Sequence, residues 1–378
     1  MRTSFFKKIV SVGLLGLMGC LDPHSPEPAP QPEIETEQVV SQSGLRLFNI
    51  NTGQQVCNES ITQDVENYPA SMLWLGFGGR LNVKVPEKWV EAYGSTTAAI
   101  QHDRLTISDT SNTVKWFLHK DEANIRSQMQ DPEWTTHPDY LVFLGSDGED
   151  LWSPYVVRLS DKEVISLGSK NLEETSSPHL WLDTAGRNQD TAWTIEQNHK
   201  MAFNKKVNGR QTLFWKQNQD GETIQVSKPA GKENFRADNP MISPDGNWLV
   251  FNLYEKQTEI STYLLPLVKD KAPLLLAEGA ADARWWTNSK GELHLVYAEI
   301  EGDYFIKSSF TAEAETTGEL GRTILQEISL GNPEGPQYQW VNFGKQQVLA
   351  NLPFKGGLSP DGFFLATGYA DAQLGRLP

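Results

Sequence analysis

From Gly44 onward the apolar residues recur at every second position in short runs, and no long stretch carries a helical period. Gly and Pro interrupt these runs often, which predicts many short strands joined by turns. One unit returns several times. Residues 240–251 read Pro-Met-Ile-Ser-Pro-Asp-Gly-Asn-Trp-Leu-Val-Phe and residues 358–366 read Leu-Ser-Pro-Asp-Gly-Phe-Phe-Leu-Ala. Degenerate copies occupy 285–297 and 132–143, with weaker ones at Trp193 to Phe203 and Trp340 to Ala350.

Each unit predicts a hairpin. Pro presets φ for the turn, Asp bonds to nearby backbone, and Gly accepts φ > 0 before an apolar strand returns. An isolated hairpin cannot bury its faces, so repetition at roughly 45–70 residues implies stacked blades. Four-stranded blades at that spacing make a β-propeller.

Ser243-Pro244-Asp245-Gly246 with Trp248-Leu249-Val250-Phe251, and Ser359-Pro360-Asp361-Gly362 with Leu365-Ala366, resemble the WD40-like repeat of TolB-type β-propellers. The resemblance covers the hairpins and fits residues 75–130 poorly. It implies an all-β single propeller over 45–378, with six blades expected and seven the alternative. The last hairpin leaves too little chain to complete a blade. Leu45 to Gly53 reads as an outer strand with no hairpin before it. The N-terminal strand is therefore expected to join the C-terminal blade and close the ring.

The first residues form a different unit. Arg2, Lys7 and Lys8 precede an apolar run from Ile9 to Met18 that ends at Gly19-Cys20, which predicts a signal peptide over 1–19. Leu17-Met18-Gly19-Cys20 resembles the bacterial lipobox, with Met18 a mild departure. That resemblance implies acylation of Cys20 and attachment to the lipid bilayer. Leu21 stands where an inner-membrane retention signal usually has Asp, so the resemblance implies an outer-membrane anchor facing the periplasm or the cell surface. Residues 20–44 hold five prolines and several acids, and read as an extended tether.

Composition narrows the partners. The chain has 378 residues, 33 basic and 48 acidic side chains, and a net charge of -15, which argues against nucleic acid. Two cysteines, Cys20 and Cys57, exclude a disulfide scaffold. No Gly-x-Ser-x-Gly elbow exists, and none of the seven His falls in a His-x-x-x-His pair. The adjacent Asp245-Gly246 and Asp361-Gly362 lack the spacing of sialidase Asp boxes. The acidic run Ser146 to Asp150 is not an EF-hand loop, and Gly76-Phe-Gly-Gly79 lacks the ending of a phosphate loop. No catalytic residue, metal ligand or cofactor is assigned.

What remains is a binding surface on the propeller rim. Aligning the hairpins places Glu133, Asn239, Arg284 and Lys355 in one column, with Arg236, Asp238 and Asp282 beside it. Trp134, Trp285 and Trp286 lie near the same rim, where indoles could stack on a sugar or anchor a peptide. The expected function is non-catalytic binding of a protein or peptide partner, the role that the TolB resemblance implies. The alternative is a glycan-binding or glycan-active propeller of the polysaccharide lyase or hydrolase type, using scattered His and a metal.

Overall fold

The computed structural model describes residues 39–40, 45–51, 56–76, 87, 102–148, 151–168, 175–185, 187, 192–254, 260–300, 321–368 and 372–378. The signal peptide, Cys20 and nearly all of the tether lie outside the described residues. Among the described residues no helix is long and apolar enough to cross a membrane.

Among the described residues, twenty-four strands form six antiparallel four-stranded sheets, one per blade. The N-terminal strands β1 (Val39–Val40) and β2 (Arg46–Asn51) belong to the last blade. Blade 1 contains β3 (Val56–Ile61), β4 (Ser71–Gly76), β5 (Arg104–Asp109) and β6 (Val114–His119). Blade 2 contains β7 (Met129–Trp134), β8 (Tyr140–Ser146), β9 (Trp152–Arg158) and β10 (Val164–Ser166). Blade 3 contains β11 (Thr175–Leu182), β12 (His199–Val207), β13 (Arg210–Gln217) and β14 (Ile224–Gln225). Blade 4 contains β15 (Arg236–Ile242), β16 (Trp248–Tyr254), β17 (Ile260–Pro266) and β18 (Leu274–Glu278). Blade 5 contains β19 (Ala280–Thr287), β20 (Leu293–Glu299), β21 (Arg322–Leu330) and β22 (Val341–Ala350). Blade 6 pairs β23 (Phe364–Gly368) and β24 (Ala372–Arg376) with β2 and β1.

Ring closure occurs where the pattern predicts it. β2 pairs with β24, with Leu47 opposite Gly375 and Phe48 opposite Leu374. Val39 and Val40, assigned to the tether by sequence, pair with Leu47 and Arg46 as a short outermost strand. Residues 356–359 run along the inner side of β23. There the Gly356 N–H donates to Ala366 O at 2.8 Å and the Ser359 N–H to Phe364 O at 2.8 Å. Two weaker sequence copies are corrected. Residues 341–350 form the single outer strand β22 and no hairpin. Trp193 lies in the long loop between β11 and β12, packed half-buried on the core.

The Ser-Pro-Asp-Gly turns work as their residues dictate. Ser243 Oγ accepts the Trp248 N–H at 3.0 Å, and Asp245 Oδ1 accepts the Asn247 N–H at 3.1 Å. Ser359 and Asp361 repeat the same bonds to Phe364 and Phe363. Gly246 and Gly362 have φ of 72° and 77°, which glycine adopts without strain. Each also seats an indole from the preceding blade. Trp181 donates Nε1–H to Pro244 O at 2.9 Å and Trp286 donates to Ser359 O at 2.9 Å. A Cβ at Gly246 would lie 2.4 Å from the Trp181 ring.

The core is divided by blade interface. Leu105, Trp116, Trp134 and Phe143 fill the space between blades 1 and 2, and Trp248, Leu264, Tyr297 and Trp340 fill that between blades 4 and 5. Ile50 of β2 is fully buried with Ile61, Met72, Trp74 and Leu374, where the last blade meets the first. Closure is thus a packed interface as well as a strand pairing. Ile50→Ala should cost about 2–5 kcal/mol, the loss of a fully buried core side chain. Urea unfolding monitored by Trp fluorescence would measure it; an unchanged midpoint would show that the closing strand is not part of the cooperative fold.

Candidate functional site

The innermost strands of blades 1 to 5 carry the same irregularity. Register shifts interrupt β3 between Cys57 and Ser60, β7 between Gln130 and Glu133, and β11 between Ser176 and His179. They recur in β15 between Asp238 and Met241, and in β19 between Ala281 and Arg284. In β7, β11, β15 and β19 the first bulged residue is left-handed. The φ values are 47° at Asp131, 47° at Ser177, 48° at Asn239 and 52° at Asp282. Each such residue costs about 1 kcal/mol or more, least for Asp and Asn. A strained conformation kept in four blades re-aims side chains, as bulges do beside functional sites.

The residue two places beyond each left-handed one projects toward the axis. Glu133 of blade 2 and Arg284 of blade 5 occupy opposite sides of a six-membered ring, and they form an ion pair across the channel. Ser60 of blade 1 donates its hydroxyl to Glu133, and the Trp134 N–H donates to Glu133 Oε1 at 2.9 Å. Arg284 Nε donates to Lys355 O at 3.0 Å, and Nη1 lies 3.7 Å from Met241 Sδ. Side chains from blades 1, 2, 4 and 5 and a carbonyl beside blade 6 thereby meet at one level. In blade 3 the equivalent residue, His179, accepts the Ile242 N–H on Nδ1 at 3.0 Å. Burial and then the Arg284 charge push His179 down to about 3, so it is neutral. Burial opposes the charge on Arg284, but Glu133 outweighs it and holds the guanidinium ionised. The channel is stoppered by this ion pair.

Above the stopper lies a cup of about 60 Å3, walled by Asp131, Ser177, Asn239 and Asp282 and floored by Glu133, Met241 and Arg284. The left-handed residues are tied to one another. The Ser177 N–H donates to Asp131 Oδ2 at 2.8 Å, and the Asn239 amide donates to Asp282 Oδ1. Behind the wall, Asp238 accepts bonds from Ser177 Oγ at 3.0 Å and Asn204 Nδ2 at 2.8 Å. Burial raises the Asp238 carboxyl to about 7, and the charges of Asp131 and Asp282 add to the rise. Lys355 is 7 % exposed; its burial lowers its pKa, while Asp282 and Glu59 oppose the shift.

The sequence-predicted column is regrouped, because Pro138-Asp139 lies two residues later in its turn than Pro244-Asp245 does. Asn239 aligns with Asp131, Ser177 and Asp282, whereas Glu133 and Arg284 align with Ser60, His179 and Met241. Trp134 is corrected: it is 2 % exposed, within the core between blades 1 and 2, and offers no stacking face. Asp238 and Lys355 are buried supports, not solvent-facing rim residues. Arg236 is exposed at the start of β15, outside the cup. Trp285 and Trp286 are half-buried; Trp285 donates Nε1–H to Met241 O at 2.8 Å, and Trp286 staples the next blade. Sequence reasoning missed Asp131, Ser177, His179, Met241 and Ser60. A signal for three blades was present, in the pairs Asp131-Pro132, Ser177-Pro178 and Asn239-Pro240. Residues 149–150 of the acidic run and 77–79 of the Gly-rich segment lie outside the described residues. Among the described residues no group of three His, Cys, Asp or Glu side chains is arranged to hold a metal ion.

No family model and no curated protein matches the sequence. Solved structures do show likeness. A structure from Agrobacterium tumefaciens assigned as TolB is 12% identical, with a TM-score of 0.43, over 88% of this chain and 97% of that one. TolB from Acinetobacter baumannii is 10% identical, with a TM-score of 0.39, over 85% of this chain and 54% of its own. This chain therefore spans about half the length of that protein. An endo-1,4-beta-xylanase from Bacteroides thetaiotaomicron is 10% identical, with a TM-score of 0.40, over 80% of this chain and 98% of that one.

Two outcomes follow from the geometry. Removing either partner of the stopper, by Glu133→Gln or Arg284→Met, should cost about 3–5 kcal/mol by stranding the other charge, while Glu133→Leu with Arg284→Met should recover most of it. Denaturation of the two single variants and the double would test this, and additive losses would argue against an axial pair. Asp238 sets a pH dependence. Its carboxyl titrates higher in the folded chain than in the unfolded one, so its contribution is full below about pH 4 and is lost as pH rises to about 7. His102, His179 and His199, lowered by burial, act oppositely as pH falls below their unfolded value. Asp238→Asn removes only the first effect. Its stability gain over wild type should grow across that window to roughly 3–5 kcal/mol. A difference that stays constant with pH would refute the shift.

Proposed function

We propose that this chain is an outer-membrane lipoprotein, anchored through acylated Cys20 and facing the periplasm or cell surface, whose propeller binds a protein or peptide partner without chemistry of its own. The stoppered cup carries this reading. Its walls present hydroxyl, amide and carboxylate groups fixed by bulges and cross-blade bonds, with the Arg284 guanidinium at the floor. Preorganised polar groups on a rigid ring favour recognition over conformational change. Pockets that enclose whole small molecules run to about 300–1,000 Å3, and this cup is much smaller. It suits a single side-chain tip from a larger ligand spread over the rim. The burial of Trp134 and the inward bonding of Trp285 and Trp286 support this reading over one in which these three indoles stack on a sugar.

The test fills the cup. Asn239→Lys places a long side chain in a space now lined by a short amide. Capture of envelope proteins by the immobilised full chain should fall at least about tenfold, the scale of one disrupted anchor contact. The thermal midpoint is measured alongside to confirm the fold. Undiminished capture by the folded variant would remove the cup from the partner interface.

A further inference from the structure

The outermost strands of the other blades are short: six residues in β6, three in β10, two in β14, five in β18 and two in β1. Short edges are a usual protection against pairing between molecules. Blade 5 departs from this. Its outer strand β22 has ten residues, more than any other described strand, and among the described residues it pairs with β21 alone. From Asn342 to Val348 every residue is exposed, so both faces of this stretch stand in water.

Exposed large hydrophobic side chains also concentrate here. Among the described residues there are six, and Tyr338, Phe343 and Val348 lie on β22 or in the 3-10 turn just before it, at 79%, 54% and 46% exposure. Phe343 and Val348 are five apart and would point to opposite faces of a regular strand. A bulge changes this. Ile328 pairs with Phe343 and Ile324 with Val348. The two Ile are four apart on β21, so both pairs lie on one face. At the bulge, Glu327 Oε2 accepts the Lys345 N–H at 3.1 Å.

The strand reads Val-Asn-Phe-Gly-Lys-Gln-Gln-Val-Leu-Ala, and it is self-complementary. With each bulge along β22, including that at Gly344-Lys345, counted as one position, two copies laid antiparallel about a two-fold axis at Gln346 set Phe343 opposite Val348 and Asn342 opposite Ala350. Gln346 then faces its own copy and Lys345 faces Gln347, and no like charges meet. Moving the axis one position toward the N-terminus sets Lys345 against Lys345, and moving it the other way sets Gln346 against Val348; both separate Phe343 from Val348, which favours the one register.

We propose that two copies of this chain associate edge to edge through Val341–Ala350, joining their fifth blades into one continuous antiparallel sheet. Backbone pairing along the strand supplies the attraction, and the Phe343–Val348 contacts, made twice, supply register. The association is isologous, as two-fold symmetry requires. It uses the outer edge of a blade and leaves the channel cup open to a different ligand.

Sedimentation velocity of the full chain in mild detergent, up to about 100 μM, is the primary measurement; a dimer with a Kd near about 10 μM would then be mostly assembled. Phe343→Lys combined with Val348→Lys should weaken association at least about tenfold, with the thermal midpoint unchanged because both side chains are exposed. Register is read separately. Phe343→Cys combined with Val348→Cys should give a covalent dimer on mild oxidation, and neither single variant should. A chain that stays monomeric throughout, a dimer indifferent to the two lysines, or cross-linking of Phe343→Cys to itself would each overturn the proposal.

Discussion

Closing six sheets into a ring imposes the constraint on which the rest of the molecule depends. Each blade must pack both faces against neighbours, so the core is divided among the blade interfaces, and every interface must form for any to be complete. The pairing of β2 with β24 and the burial of Ile50 turn a row of hairpins into a closed ring. Only within a closed ring do Glu133 and Arg284, 151 residues apart, stand opposite one another across an axis. The channel stopper is thus a product of closure, and it ties opposite sides of the ring together in turn.

The axis concentrates the polar groups that the blades cannot hold. Buried Asp238, Asp282, Lys355 and His179 lie close together there, and each is given hydrogen bonds or a charge of opposite sign. Burial of ionisable groups is costly, and the left-handed bulges add strain to the same strands. Both features supply geometry: they fix short side chains toward the cup with little freedom to relax. Stability in the outer layers of each blade offsets this local cost.

Much of the fold was legible because the repeat writes its turn chemistry in local sequence. Ser243 to Gly246 and Ser359 to Gly362 state a hairpin outright, and a lone outer strand at Leu45 to Gly53 implies closure. The site was harder to read for a physical reason. Pro138-Asp139 lies two residues later in its turn than Pro244-Asp245 does, so aligning the hairpins on those pairs put Asn239 with Glu133 when it belongs with Asp131. Alternation also says that one of two adjacent residues is buried without saying which, and Trp134 proved to be the interior one. The length of β22 was invisible, because a strand exposed on both faces has no apolar alternation to announce it.

The pairing of Arg46–Asn51 with Ala372–Arg376 has a consequence in time. Asn49 and Gln373 share a side-chain hydrogen bond across 324 positions, so the ring is completed by nearly the most distant contact the chain can make. Contacts of that separation form late, after the loop between them has been organised. The strand beside the N-terminus must wait, its apolar face unpaired, until the final hairpin has been delivered. Until then the last blade remains an open seam, and the interval before it shuts is when the chain is most vulnerable to misassembly.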